Sequence, residues 1–264
     1  MSMEFQATPL FRNLAIAFLA FSFFQCSDDE PDNSALINCD LSLFSNAAMQ
    51  GKITINQASL NLEQIEVTGT QPSLSIISFS RTIPADESRV DLLSNGNSII
   101  RLDAAQNDYD PLSLTLTPAG DSYSLDVQAT ENGQTVNIDD YLGSAAPSLL
   151  LSGRFDNRGK SIPIHVAFPE VMPLKSIAEQ YGSIRVKLDL ENLAEIQINS
   201  GYLFDGVTTQ QLETASKAIH QNQEVIFIHP AFNSGLYDIF LARLEDAQNS
   251  MKVKVKVTRS ATDQ

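Results

Sequence analysis

Between residues 50 and 168 apolar side chains recur at every second position, and this alternation constrains the fold more than any other feature of the chain. Successive side chains of a strand point to opposite faces, so a series of such segments has to pack one face on a shared core. Ile53 and Ile55 alternate with Lys52, Thr54 and Asn56, and the pattern continues through Leu60, Leu62, Ile65 and Val67. It returns in Leu112, Leu114 and Leu116, in Tyr123, Leu125 and Val127, and in Leu149, Leu151 and Phe155 opposite Ile162, Ile164 and Val166. Turn formers separate the runs: Asn95-Gly96 between two apolar segments, then residues 118–121, Glu131-Asn132-Gly133 and residues 156–159. About ten short strands at this even spacing predict an antiparallel meander, folded as a β-sandwich or a barrel-like sheet.

"PEVMP", residues 169–173, interrupts the pattern and suggests a boundary. The expected organisation is therefore mainly β, with an antiparallel β-sandwich (or barrel-like) domain over residues 39–170 and a smaller α+β domain over 171–264. In the second part "SIRVKLDL", "AEIQINSGYLF", "EVIFIHP" and "MKVKVKVTR" read as strands. Thr208 with Gln211 three residues on fits a capping box, and Leu212, Ala215 and Ile219 form one stripe, so "TTQQLETASKAIHQ" is expected to be helical. Leu236, Phe240, Leu244 and Ala247 predict a second helix after Asn233-Ser234. "GKITINQASLNLEQIEV" and "GSIRVKLDLENLAEIQI" align without gaps, a likeness that duplication or simple amphipathic alternation would produce.

The N-terminus is of another kind. Leu14 to Phe24 is an unbroken apolar run of eleven residues, where about twenty are needed to span a bilayer as a helix. Its length and place fit the h-region of a secretory signal over residues 1–25. Cys26 follows at once, and then Ser27, Asp28, Asp29 and Glu30. A cysteine directly after a short h-region resembles the acylation site of bacterial lipoproteins, although Phe23-Phe24-Gln25 replaces the usual aliphatic residue and two small ones. The Ser-then-acidic run is similar to the export signal of many Bacteroidota lipoproteins on the outer face of the outer membrane. That resemblance implies a bilayer partner through acylated Cys26 and a leash over residues 26–38. The alternative for Cys26 is a disulfide with Cys39; if Cys26 is acylated, Cys39 is left as a small buried apolar residue. "ASLNLEQIEVTG", "VDLLSNG" and "YDPLSLTL" also resemble segments of uncharacterised β-sandwich domains in secreted bacterial lipoproteins, which implies fold and compartment and assigns no catalytic residue.

Composition excludes some partners. The formal charge is −15, with no Lys/Arg cluster to offset it, so nucleic acid is not an expected partner. The three histidines each have a structural explanation: His165 alternates with Ile164 and Val166, His220 lies next to Ile219, and His229 precedes Pro230. No zinc spacing, nucleophile elbow, P-loop or dinucleotide fingerprint is present, and no cofactor is expected. Asp108 and Asp110 in "NDYDP", and Asp139-Asp140, are the candidates for calcium, although neither set has the loop glycine and distal Glu, and turn formation explains them more simply. With no Trp, a glycan platform would have to use Tyr109, Tyr141, Tyr181, Tyr202 or Tyr237. The expectation is a membrane-anchored, non-enzymatic envelope lipoprotein with a binding or structural role, its partner an envelope protein or glycan. The alternatives are a glycan-binding accessory protein of a nutrient-uptake system and a hydrolase with dispersed carboxylates.

Overall fold

The computed structural model describes residues 34–259 apart from 72, 74, 95–98, 106, 121–124, 126–135, 171–172, 178–183 and 187–189. The strands are β1 (Ser34–Leu43), β2 (Ala47–Ala48), β3 (Ile53–Thr70), β4 (Ile76–Thr82), β5 (Arg89–Asp91), β6 (Ile99–Ala105), β7 (Asn107–Tyr109), β8 (Leu112–Pro118), β9 (Leu149–Asn157), β10 (Lys160–Phe168), β11 (Leu174–Ile177), β12 (Ile184–Val186), β13 (Leu190–Ile198), β14 (Lys217–His220), β15 (Gln223–Ile228) and β16 (Met251–Arg259). The helices are α1 (Asp139–Ser144), α2 (Ser200–Leu203), α3 (Thr209–Thr214), α4 (Ser234–Glu245) and α5 (Ala247–Ser250). The fold is mainly β and sandwich-like, with open sheets that do not close into a barrel.

One sheet has the order β16-β13-β1-β6; the larger runs β11-β8-β3-β9-β10-β15-β14, with β2, β4 and β5 added along β3. The long strand β3 organises the larger sheet, pairing with β8 over its second half and with β9 over its first. The alternation read from the sequence is what buries it: Ile53, Ile55, Leu60, Leu62, Ile65 and Val67 all lie within 2% of full burial. They share one core with Ile37, Cys39 and Leu41 of β1 and with Ile196, Val253 and Val255 of the smaller sheet. Cys39 is a free, buried thiol, and desolvation pushes its pKa up to about 12, so it serves as the small apolar residue expected. The first described strand also takes up residues 34–38 of the expected leash.

Three expectations are corrected. The boundary at 170/171 does not separate two cores, because strands from both sides share sheets: β1 runs parallel to β13, β10 runs parallel to β15, and β11 pairs with β8. The described residues from Ser34 to Arg259 form one compact unit. The prolines interrupt a strand, but the chain re-enters the same sheet at Leu174. The apolar segments flanking Asn95-Gly96 do not make a hairpin either: β5 pairs with β3, and β6 pairs with β1 in the other sheet. At this point the expected meander gives way to pairings distant in sequence, whereas β9 and β10 form the expected hairpin. Residues 121–124 and 126–135, which carry Tyr123, Val127 and the Asn132-Gly133 turn, lie outside the described residues, as do Cys26, Ser27, Asp28, Asp29 and Glu30.

The third correction concerns the first predicted helix. Thr208 Oγ1 accepts from the Gln211 N–H at 3.2 Å and Gln211 Oε1 accepts from the Thr208 N–H at 2.8 Å, the reciprocal capping box. The helix nevertheless stops at Thr214, where Ala215 turns extended and Lys217 Nζ donates to the Leu212 and Ala215 carbonyls. Residues Lys217–His220 instead form a hairpin with β15 about Gln221-Asn222, both at positive φ. The ladder with an apolar central strand outweighs one more turn of a short helix. Replacing Thr208 by alanine is expected to cost about 1 kcal/mol, read as a lower urea midpoint at unchanged slope. The second predicted helix forms as α4, burying Leu236, Phe240 and Leu244, with Tyr237 also inward. Among the described residues the C-terminal part carries four helices, two of them a single turn, where one or two were expected.

Candidate functional site

The larger sheet is covered on both faces at its β9–β10–β15–β14 end. Leu149, Leu151, Ile164 and Val166 face the sandwich core, whereas Leu150, Ala167, Ala218, Val225 and Phe227 face a second, smaller core. Val136, Ile138 and Tyr141 lie over that second face, held by a short parallel bridge in which the Ile138 N–H donates to the Ile219 carbonyl at 2.9 Å and the Ile219 N–H to the Val136 carbonyl at 2.7 Å. His165 is on the face opposite Ile164 and Val166, as its alternation predicts. That face is a second buried layer and not solvent, which the alternation does not reveal.

Polar side chains interrupt this layer in one row. Register places Gln57 of β3 beside Ser152 of β9, and Ser152 beside His165 of β10. Ser152 is buried, and its Oγ is hydrogen-bonded to His165 Nδ1 at 2.9 Å. The end of β14 brings His220 against His165, ring centres 5.2 Å apart and planes at 85°. Asp139, at the start of α1, accepts from His220 Nδ1 at 2.7 Å and from the Gln221 N–H at 2.7 Å. The four side chains open on a cavity of about 340 Å³ that Arg89 of β5 also lines, with Leu142 and Leu150 as its apolar wall.

The electrostatics follow from this packing. Desolvation, with the charge of His220 second, pushes His165 down to about 4, so its ring is neutral near pH 7. Asp139 is held below the usual carboxylate range, first by the Gln221 backbone N–H and then by His220. The arrangement is two separate pairs and not a catalytic triad: the carboxylate orients His220, while the serine is bonded to His165. His229 is the structural histidine of the three. It is buried, stacked on Phe227 at 5.5 Å and 14°, with Tyr141 edge-on at 5.1 Å, and its Nδ1 accepts from the Ala231 N–H at 3.1 Å.

No protein-family profile, curated protein or solved structure gives a significant match to this chain. The site's chemistry is therefore read from its geometry.

The other sequence candidates disperse. Asp108 lies in β7 opposite Arg185 of β12, and Asp110 is exposed, its N–H donating to the Thr70 carbonyl at 2.8 Å. Asp139 is engaged with His220, and Asp140 is exposed on α1. Among the described residues no three His, Cys, Asp or Glu side chains converge on a metal position. Of the tyrosines, Tyr109, Tyr141 and Tyr237 are buried, and the ring of Tyr109 lies over Gly69, where a Cβ would meet Tyr109 Cδ1 at 2.2 Å. Tyr202 is half-buried beneath the Arg243 guanidinium, 5.0 Å from its ring centre; Tyr181 is outside the described residues. A wider cleft of about 690 Å³ lies between residues 47–52 and 199–209; Lys52 and Asp205 are its charged lining.

The sequence did not disclose the Gln57–Ser152–His165–His220–Asp139 constellation, because its members come from five separate elements. A hint was present in His165 and Ser152, which occupy equivalent positions about the 156–159 turn.

Proposed function

We propose that this chain is a lipid-anchored, non-enzymatic protein of the bacterial envelope, held at the outer membrane and facing outward, whose β body binds a ligand or spaces a partner. The observation that carries the reading is the junction at Cys26, where the apolar run ends and Ser27-Asp28-Asp29-Glu30 begins. Acyl chains contribute about 0.8 kcal/mol per buried CH₂, so two or more chains make a stable anchor. With β1 starting at Ser34, seven residues separate Cys26 from the body, a reach of at most ~25 Å. The body would thus stay close to the bilayer.

Binding, as opposed to catalysis, is favoured by the site. Its serine and carboxylate sit on different histidines, and among the described residues neither its cavity nor the wider cleft is lined by two carboxylates of the kind glycoside hydrolysis requires. Of the candidate tyrosines among the described residues, Tyr109, Tyr141 and Tyr237 are buried and Tyr202 is half-buried under Arg243, which supports the glycan-platform alternative less. Metabolic labelling with a radioactive fatty acid tests the anchor. Wild-type protein is expected to carry label and sediment with membranes, and Cys26→Ala to lose both. A Cys26→Ala protein that still takes up label and stays with the membrane fraction would falsify the reading.

A further inference from the structure

We propose that His165 and His220 together hold one divalent late first-row transition ion, of the zinc(II) or copper(II) kind, through their Nε2 atoms. The first argument is how the two rings are held. A metal-ligating histidine commonly donates its other ring N–H to a carboxylate or another polar oxygen, which fixes the tautomer and leaves a lone pair for the ion. Both rings have that arrangement at Nδ1: His220 against Asp139 Oδ1 at 2.7 Å, and His165 against Ser152 Oγ at 2.9 Å. With each Nδ1–H donating, both Nε2 lone pairs are available.

The second argument is an unexplained polar atom. His165 Nε2 is shielded from solvent and has no partner, and His220 Nε2 makes no hydrogen bond among the described residues. A buried ring nitrogen without a partner is costly and calls for an occupant such as a water or an ion.

The third is distance. With a metal–nitrogen bond of about 2.0–2.1 Å and a ring nitrogen about 1.1 Å from its ring centre, each centre lies roughly 3.2 Å from a shared ion. Centres 5.2 Å apart would subtend about 110° at an ion that both rings faced with Nε2, close to the tetrahedral angle such ions adopt. Imidazole nitrogen selects borderline ions over calcium, which takes oxygen. Because the described residues supply no third His, Cys, Asp or Glu, the remaining positions fall to solvent in the cavity. The site is therefore open and exchangeable, not a structural zinc centre.

The test is calorimetric titration of zinc(II) into the full chain in detergent, carrying Cys26→Ser to remove that thiol as a competing ligand, with calcium(II) as the control for cations drawn to the acidic surface. One zinc per chain is expected, and no comparable heat from calcium. Asp139→Asn is expected to weaken zinc binding about 10–100-fold, the usual effect of removing an orienting carboxylate. His220→Gln should weaken it at least as much. Copper(II) bound to the chain should show hyperfine coupling to two imidazole nitrogens, reduced to one in His220→Gln. Absence of zinc binding above the calcium level overturns the proposal without any variant. So does a folded His220→Gln protein, judged by an unchanged melting temperature, that binds zinc as tightly as the parent. His220 lies at a strand end with its side chain 22% exposed, so this variant carries the test even where His165→Gln loses the fold.

Discussion

Gly153→Ala is expected to destabilise the protein by about 3 kcal/mol, near the upper end for overpacking a closely packed interior. Gly153 is in the middle of β9, opposite Ile55 of β3, where the register of that pairing shifts between Ile55 and Gln57. The shift brings the β3 backbone in so closely that a Cβ on Gly153 would sit 2.2 Å from the Thr54 carbonyl oxygen and 3.0 Å from Ile55 Cα. Both are backbone atoms within a ladder, so no side chain can swing aside, and the strands have to separate. For a domain of this size about 3 kcal/mol corresponds to a fall in melting temperature of about 6–12 °C, measurable by calorimetry. A melting temperature within 2 °C of the parent would show that the β3–β9 approach is not a close one. Gln57 and Ser152 flank this point, so the substitution should also disturb the polar row.

The second large effect is one of pH. His165 has a folded pKa of about 4 against an ordinary value of 6.5, because its charged form is desolvated and lies beside His220. Between those values the unfolded chain binds a proton that the folded chain does not, so stability rises with pH across the window and falls as the pH is lowered. At about 1.4 kcal/mol per pH unit of displacement, roughly 3 kcal/mol is lost between pH 6.5 and pH 4 from this group, and no more below. Asp139, held below the usual range, adds a loss of the same sign in a separate window, as the pH falls below its ordinary 3.8 and through its folded pKa. Urea denaturation at successive pH values should show the first loss in the parent and a flatter profile in His165→Gln. Equal slopes in the two proteins between pH 6.5 and pH 4 would mean that His165 takes up its proton without unfolding.

Period-two alternation made most strands legible, since it is a property of each segment alone. Every apolar residue named in β3 proved buried, and the hairpin at 156–159 formed with Phe155 opposite Ile162. The capping box at Thr208 was legible for the same reason, because all its atoms lie within one turn. Pairing was not. Asn95-Gly96 carries a local hairpin signal, yet the strands on either side are drawn into different sheets, where β5 lies along β3 and β6 along β1. Burial of Val90 and of Leu102 in the common core outweighs a turn preference worth far less. The helix expected over Ala215 to His220 failed in the same way, displaced by a partner strand that its own sequence does not contain.

By itself, then, the sequence determined most strands between residues 50 and 168, which apolar residues of β3, β9 and β10 face the core, that Cys39 is an apolar filler, and that Cys26 stands where an apolar run meets an acidic one. These follow from local chemistry and from the two-residue period of a strand. Only the tertiary structure decided that Leu190–Ile198 lies parallel to β1, so that the two halves form one body. It alone placed Asp139 on His220, and His220 against His165, from positions 81 and 55 residues apart. Strand order and register depend on the total apolar surface that one arrangement buries, a quantity that belongs to the whole chain and is carried by no segment of it.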